Sequence, residues 1–119
     1  MAYFIDVPRF EDSRGSLCVI DNLLPFIVER TYYIFRVKGV RGGHRHKKTV
    51  QALICLSGSC NVYVNNGEDE TTYSLDEPGK CLIVEPKDWH TMSNFSKNST
   101  LLVMSSHSYS RDDYIDEKY

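Results

Sequence analysis

The chain has 119 residues, of which 41% are hydrophobic, 25% charged and 12% aromatic, with a formal net charge of −2. That length is one ordinary domain, and the composition is globular, outside the disordered, collagen-like and membrane-spanning classes. A near-neutral balance, with a pI near 6.0, lacks the positive excess that grips nucleic acid or an anionic membrane, so neither is expected as a partner.

The N-terminal run Met1-Ala2-Tyr3-Phe4-Ile5-Asp6 lacks the basic and apolar regions of a secretion signal, and no later stretch nears the ~20 apolar residues that span a bilayer. A cytoplasmic location is therefore expected. From there the chain reads as short segments rich in β-branched and aromatic residues: Tyr3 to Val7, Ser16 to Asp21, Arg30 to Lys38, Thr49 to Ser57, Cys60 to Asn65, Thr71 to Leu75, Lys80 to Glu85, His90 to Phe95 and Thr100 to Ser106. Turn residues separate them, among them Ser57-Gly58-Ser59, Asn65-Asn66-Gly67 and Asp76-Glu77-Pro78-Gly79. This rhythm predicts an all-β barrel or sandwich, one domain over 1–119, with almost no helix. Residues Ser110 to Tyr119 form a polar tail, read as a short helix or a loose end with nothing catalytic in it.

Cys18, Cys55, Cys60 and Cys81 never approach CxxC spacing and are expected as buried, reduced thiols. Without a secretion signal, the glycosylation-like Asn94-Phe95-Ser96 and Asn98-Ser99-Thr100 carry no weight.

The chemistry-bearing stretch is Thr31-Tyr32-Tyr33-Ile34-Phe35-Arg36, followed after a glycine-rich turn by His44-Arg45-His46-Lys47-Lys48. On extended backbone alternate residues share a face, so Tyr32 and Arg36 project together, as do His44 and His46. Three readings of the histidine pair stand at this level: two ordinary exposed histidines, two ligands aimed at one metal ion, or an acid–base pair titrating near neutral pH.

The spacing His44-x-His46, Gln51, Gly58, Pro86 to His90 and Asn94 resembles the two cupin motifs over nearly the whole chain. Metal-binding cupins carry a glutamate ligand where Gln51 stands, and an amide attracts a divalent cation less. Asp12-Ser13-Arg14-Gly15-Ser16-Leu17, Arg30-Thr31-Tyr32-Tyr33-Ile34-Phe35-Arg36 and Arg41-Gly42-Gly43-His44-Arg45-His46-Lys47 are similar to the dTDP-sugar 3,4-ketoisomerases. That resemblance implies a cofactor-free, metal-free cupin or jelly-roll barrel acting on dTDP-4-keto-6-deoxy-D-glucose, on the route to dTDP-3-amino-3,6-dideoxyhexoses. It implies His44 as principal base, with His46, Tyr32 and Arg36 completing the catalytic set. Arg45 replaces the alanine common in that family and should point away from the site.

A dTDP substrate also needs phosphate and base contacts. Arg14 and Arg41 are the candidates for phosphate, and Gln51, Trp89 and His90 are further substrate-binding candidates, Trp89 either stacking on the base or plugging the barrel. Lys47 and Lys48 read as a solvated charge cluster, and His107 as a surface residue. A homodimer with exchange of the N-terminal strand Tyr3 to Val7 is expected from the family and from that strand's apolar character. Two other readings are a metal-dependent cupin enzyme using His44, His46 and His90, and a nucleotide-sugar-binding cupin without turnover.

Overall fold

The computed structural model describes residues 1–119. Twelve short strands follow in chain order: β1 (Tyr3–Asp6), β2 (Arg9–Asp12), β3 (Gly15–Cys18), β4 (Arg30–Phe35), β5 (Arg41–His46), β6 (Gln51–Ser57), β7 (Cys60–Asn65), β8 (Glu70–Leu75), β9 (Lys80–Val84), β10 (Trp89–Ser93), β11 (Thr100–Ser105) and β12 (Tyr114–Ile115). One sheet has the order β1-β9-β6-β11-β4, and a second the order β12-β5-β10-β7-β8. All pairings are antiparallel, which gives the all-β jelly-roll architecture expected from the sequence.

Alternation packs the two sheets together. Leu53 and Cys55 on β6, Val62 and Val64 on β7, Leu82 and Val84 on β9, and Leu101 and Val103 on β11 turn inward and form the main core. The first sheet is covered on its outer face too. Ala52, Ile54, Cys81, Ile83 and Met104 point outward, yet they are buried beneath Val7 and the segment carrying Ile20, Leu24 and Phe26. That second cover explains why β6 reads as an unbroken apolar run rather than an alternating one.

β1 forms where the sequence predicts a strand and pairs with β9, Tyr3 opposite Ile83 and Asp6 opposite Lys80. Two segments differ from the sequence expectation. Ser16 to Asp21 does not form one strand: Gly15–Cys18 pairs with Arg9–Asp12 in a ribbon that belongs to neither sheet. Cys18 apart, its residues pack on no core, so no hydrophobic pattern marks β2. The tail is the second. After a 3₁₀ turn at Arg111–Asp113, it adds β12 to the edge of β5, with Tyr114 opposite His46 and Ile115 opposite Arg45. All four cysteines carry free thiols, and no helix is long and apolar enough to cross a membrane.

One irregularity aims the functional strand. His90 faces His44, but the next residue, Thr91, faces Gly42, so the β5–β10 register slips by one residue at Gly43. Gly42 and Gly43 have φ of 86° and 85°, and a Cβ on Gly42 would lie 2.9 Å from the His90 carbonyl oxygen. Only glycine takes both the left-handed φ and the close approach. Gly42→Ala is expected to destabilise the protein by about 2 kcal/mol or more, read from the midpoint of denaturant unfolding.

Candidate active site

At one end of the barrel the inward-facing side chains turn polar. Across the first sheet, Arg30, Ser105, Gln51 and Val84 lie in one register row, and His44, His46 and His90 face them from β5 and β10. The His44 ring centroid lies 5.0 Å from that of His46 and 5.2 Å from that of His90, while His46 and His90 are 6.4 Å apart. Tyr114 lies over the cluster, its ring 4.6 Å from both His44 and His46. Opposite, Gln51 Nε2 donates to the Tyr32 hydroxyl at 3.4 Å and to Ser105 Oγ at 3.2 Å. The Arg30 guanidinium sits 4.4 Å from the Tyr32 ring centroid and donates to the Tyr114 hydroxyl at 3.4 Å.

Asp113 fixes one imidazole. Its carboxylate accepts from the Lys48 backbone N–H at 2.9 Å, from the Thr49 hydroxyl, and from His46 Nδ1–H at 3.0 Å. With Nδ1 carrying the proton, His46 Nε2 is the free base atom, buried and without a hydrogen-bond partner in the protein. His90 is oriented in the same way, its Nδ1–H donating to the Asp88 carbonyl at 3.0 Å.

Burial sets the protonation states. It pushes His44 and His90 down to about 4, and neighbouring imidazoles act in the same direction. Burial also lowers His46, against the opposing pull of Asp113. For Asp113 itself, burial is outweighed by the bonds from Thr49, Lys48 and His46, so the carboxyl stays below its ordinary range. Burial raises the Tyr32 phenol. At neutral pH the site thus holds three neutral imidazoles, a protonated phenol, an ionised carboxylate and one guanidinium. That set can take a proton from carbon and return it, while the cation steadies a developing oxyanion.

Of the residues singled out from sequence, His44, His46, Tyr32, Gln51 and His90 converge here. Arg36 does not. β4 ends at Phe35, and Arg36 takes a left-handed φ of 56°, which breaks the alternation that would have aligned it with Tyr32. Its guanidinium lies 5.4 Å from the Phe35 ring centroid, in a cleft shared with Phe95 and Lys97 at the opposite end of the barrel. The arginine that reaches the cluster is Arg30, which has the same strand parity as Tyr32.

Arg41 is exposed at the start of β5. Arg14 is exposed on the β2–β3 turn, paired at 2.6 Å with Asp12. Trp89 neighbours His90 and so faces the outside of the barrel, where its indole N–H donates to the Asp116 carbonyl at 3.0 Å. Asp113 and Tyr114 escaped the sequence reading. The apolar pair Tyr114-Ile115 inside a polar tail was the available sign that this segment docks. No three His, Cys, Asp or Glu side chains are placed to share a metal ion.

The family described as "FdtA: WxcM-like, C-terminal" matches residues 2–119. The chain belongs to this family. The TDP-4-oxo-6-deoxy-alpha-D-glucose-3,4-oxoisomerase of Aneurinibacillus thermoaerophilus is 43% identical over 115 residues, covering 93% of this chain and 83% of that protein. A 3,4-ketoisomerase from Helicobacter canadensis superimposes with a TM-score of 0.92 at 35% identity, covering 98% of this chain and 90% of the other. A mutant of the 3,4-ketoisomerase QdtA from Thermoanaerobacterium thermosaccharolyticum, in complex with TDP-4-keto-6-deoxyglucose, gives 0.94 at 33% identity, over 98% and 87% of the two chains. The cupin-type fold and the family expected from the sequence motifs therefore hold.

The depressed imidazoles link folding to pH. Unfolded histidines take up protons below about pH 6.5, whereas folded His44 and His90 stay neutral to about 4. Stability is expected to fall as pH is lowered from 6.5 toward 4, with uptake of about two protons on unfolding at pH 5. The pH dependence of the thermal midpoint checks this.

Proposed function

We infer that this family member is a TDP-sugar 3,4-ketoisomerase that moves the carbonyl of a TDP-4-keto-6-deoxyhexose from C4 to C3. The C3 hydrogen is acidified by the adjacent C4 ketone, and neutral His44 is the base that takes it. The C3–H electron pair becomes the C3=C4 bond of an enediolate, with negative charge on O4. Arg30, rather than Arg36, stabilises that oxygen, and Tyr32 passes the O3 proton to O4. Return of a proton to C4, by His44 itself or by His46 once His44 has passed its proton to His46 Nε2, leaves the ketone at C3, and the face it reaches sets a gluco or galacto product. Asp113 holds His46 in one tautomer and stabilises its protonated form. What supports this reading above all is the coupling of His46 to Asp113 within 5.0 Å of the His44 ring.

Gln51 orients Tyr32, and the exposed Arg41 is assigned to the diphosphate. Arg14, exposed on the β2–β3 turn and paired with Asp12, is assigned to the site of a partner subunit in a homodimer. Both faces of the β2–β3 ribbon are exposed, with Phe10 and Leu17 each at 61%, and an isolated two-stranded ribbon is marginal in water. Exchange is therefore assigned to this ribbon rather than to β1. Light scattering is expected to give twice the 13.7 kDa chain mass, and Leu17→Asp to halve it; a monomeric wild-type protein overturns the assignment. Four free thiols suit a reducing compartment, and the cytoplasm is the location proposed.

Incubating the metal-free protein with TDP-4-keto-6-deoxyglucose in deuterated water tests the reaction. Proton NMR is expected to show a 3-keto product with deuterium at C4, and the coupling pattern there gives its configuration. His44→Asn is expected to lower kcat by about 10²–10⁴-fold with KM little changed. Turnover only after addition of iron, manganese or zinc favours metal-dependent chemistry instead, and binding without turnover a sugar-nucleotide-binding protein.

A further inference from the structure

Arg45 lies between the two site histidines, and alternation sends it to the outer face of β5, away from the imidazoles. There it meets the C-terminal strap. Its Nε donates to the Glu117 carbonyl at 3.3 Å, its Nη1 donates to the Tyr119 hydroxyl at 2.9 Å, and its guanidinium lies 4.1 Å from the Tyr119 ring centroid. The hydroxyl of Tyr119 in turn donates to the Lys87 carbonyl at 2.8 Å.

The seat for this ring is shaped on its far side as well. Gly67, in the β7–β8 turn with φ of 96°, leaves room where a Cβ would come within 2.9 Å of Tyr119 Cδ1. The strap is held at two more points, by the Trp89 indole on the Asp116 carbonyl and by Lys118 Nζ, 5.2 Å from the Trp89 ring centroid. Just upstream, the same strap carries Asp113 and Tyr114, the two groups that bind and cover the histidines.

We propose that Arg45 is a positioning residue: it latches residues 111–119 to the outside of β5, so that Asp113 stays docked on His46 and Tyr114 over His44. Alanine at this position makes none of the three contacts. The latch rests on the ketoisomerase reading only for its effect on rate; its effect on the strap is independent of what the site turns over.

The groups facing His44 are His46 on its own strand, His90 on β10, and Tyr114, Asp116 and Arg111 from the strap. When the strap loosens, His44 loses its cover and both strap charges, and its titration moves from near 4 up toward the ordinary histidine value. Trp89 is the sole tryptophan, so its fluorescence reports strap docking directly.

The experiment compares the full-length wild type with Arg45→Ala, Tyr119→Ala and the double variant. Each is followed by acrylamide quenching of Trp89, by kcat and KM on TDP-4-keto-6-deoxyglucose, and by the pH profile of kcat/KM. Each single variant is expected to raise quenching, to lower kcat about five- to tenfold and to shift the acidic limb upward, and the double variant to be no worse than the worse single one.

Unchanged quenching and kinetics overturn the latch, as do additive losses or a fall in kcat with an unmoved pH profile. If Arg45→Ala does not fold, Tyr119→Ala reaches the same contact from the other side and decides by the same criteria. Absence of turnover by the wild type overturns the ketoisomerase reading instead; the latch is then judged by Trp89 quenching and by NMR titration of the His44 imidazole.

Discussion

His44 lies beneath Tyr114, with the His90 ring centroid 5.2 Å from its own, and at that depth a charged imidazole has lost most of the water that would stabilise it. Keeping the rings neutral is the condition on which the rest of the site depends. A neutral imidazole can receive a proton from carbon, and three together avoid the mutual repulsion that cations at this spacing would suffer. The compensating charge is then placed selectively. Asp113 faces only His46, through Nδ1, so the proton on that ring has a fixed position and the ring a fixed orientation. Arg30 sits across the barrel, over Tyr32 and against the Tyr114 hydroxyl, where a cation can serve an oxyanion without meeting the imidazoles head on.

The backbone that delivers this arrangement is rigid where the chemistry needs it. β6 and β9 are buried on both faces, by the barrel core inside and by residues 18–26 outside, so Gln51 and its neighbours are held by packing as well as by ladder bonds. On the opposite sheet, the one-residue slip at Gly43 re-aims β5 against β10 and brings His44 opposite His90. Without the slip, alternation along β5 would place the histidines on the wrong parity relative to Gly42 and the turn before it.

Much of this was legible in the sequence, for reasons that can be stated. Short β-branched runs separated by turn residues mark the strands, and His44-x-His46 with Tyr32 marks a shared inward face, because strand parity is a local property. The choice between Arg30 and Arg36 was not legible. Both have the parity of Tyr32, and only the end of β4 at Phe35, where the chain leaves extended geometry, separates them. Asp113 and Tyr114 were hidden for a different reason. Asp113 closes a three-residue 3₁₀ turn and Tyr114 opens a two-residue strand, both held at the edge of β5 by contacts with residues distant in sequence, so no periodicity exists to reveal them. The β2–β3 ribbon lacks a periodic signal because, Cys18 apart, it packs on no core of its own chain.

Strand alternation also ties the two faces of β5 into one device. Within three residues it directs two imidazoles into the barrel and one guanidinium out of it. The guanidinium holds the segment whose own side chains, Asp113 and Tyr114, pass back over the strand edge to those imidazoles. A loop carrying the same residues would have to order each of them separately. A strand fixes their relative directions in advance, so the entropy of ordering the strap is offset at several contacts against a surface that is already rigid. The residue between the histidines is therefore free to vary without touching the reacting atoms, yet it is placed to decide how firmly the mouth of the barrel is closed.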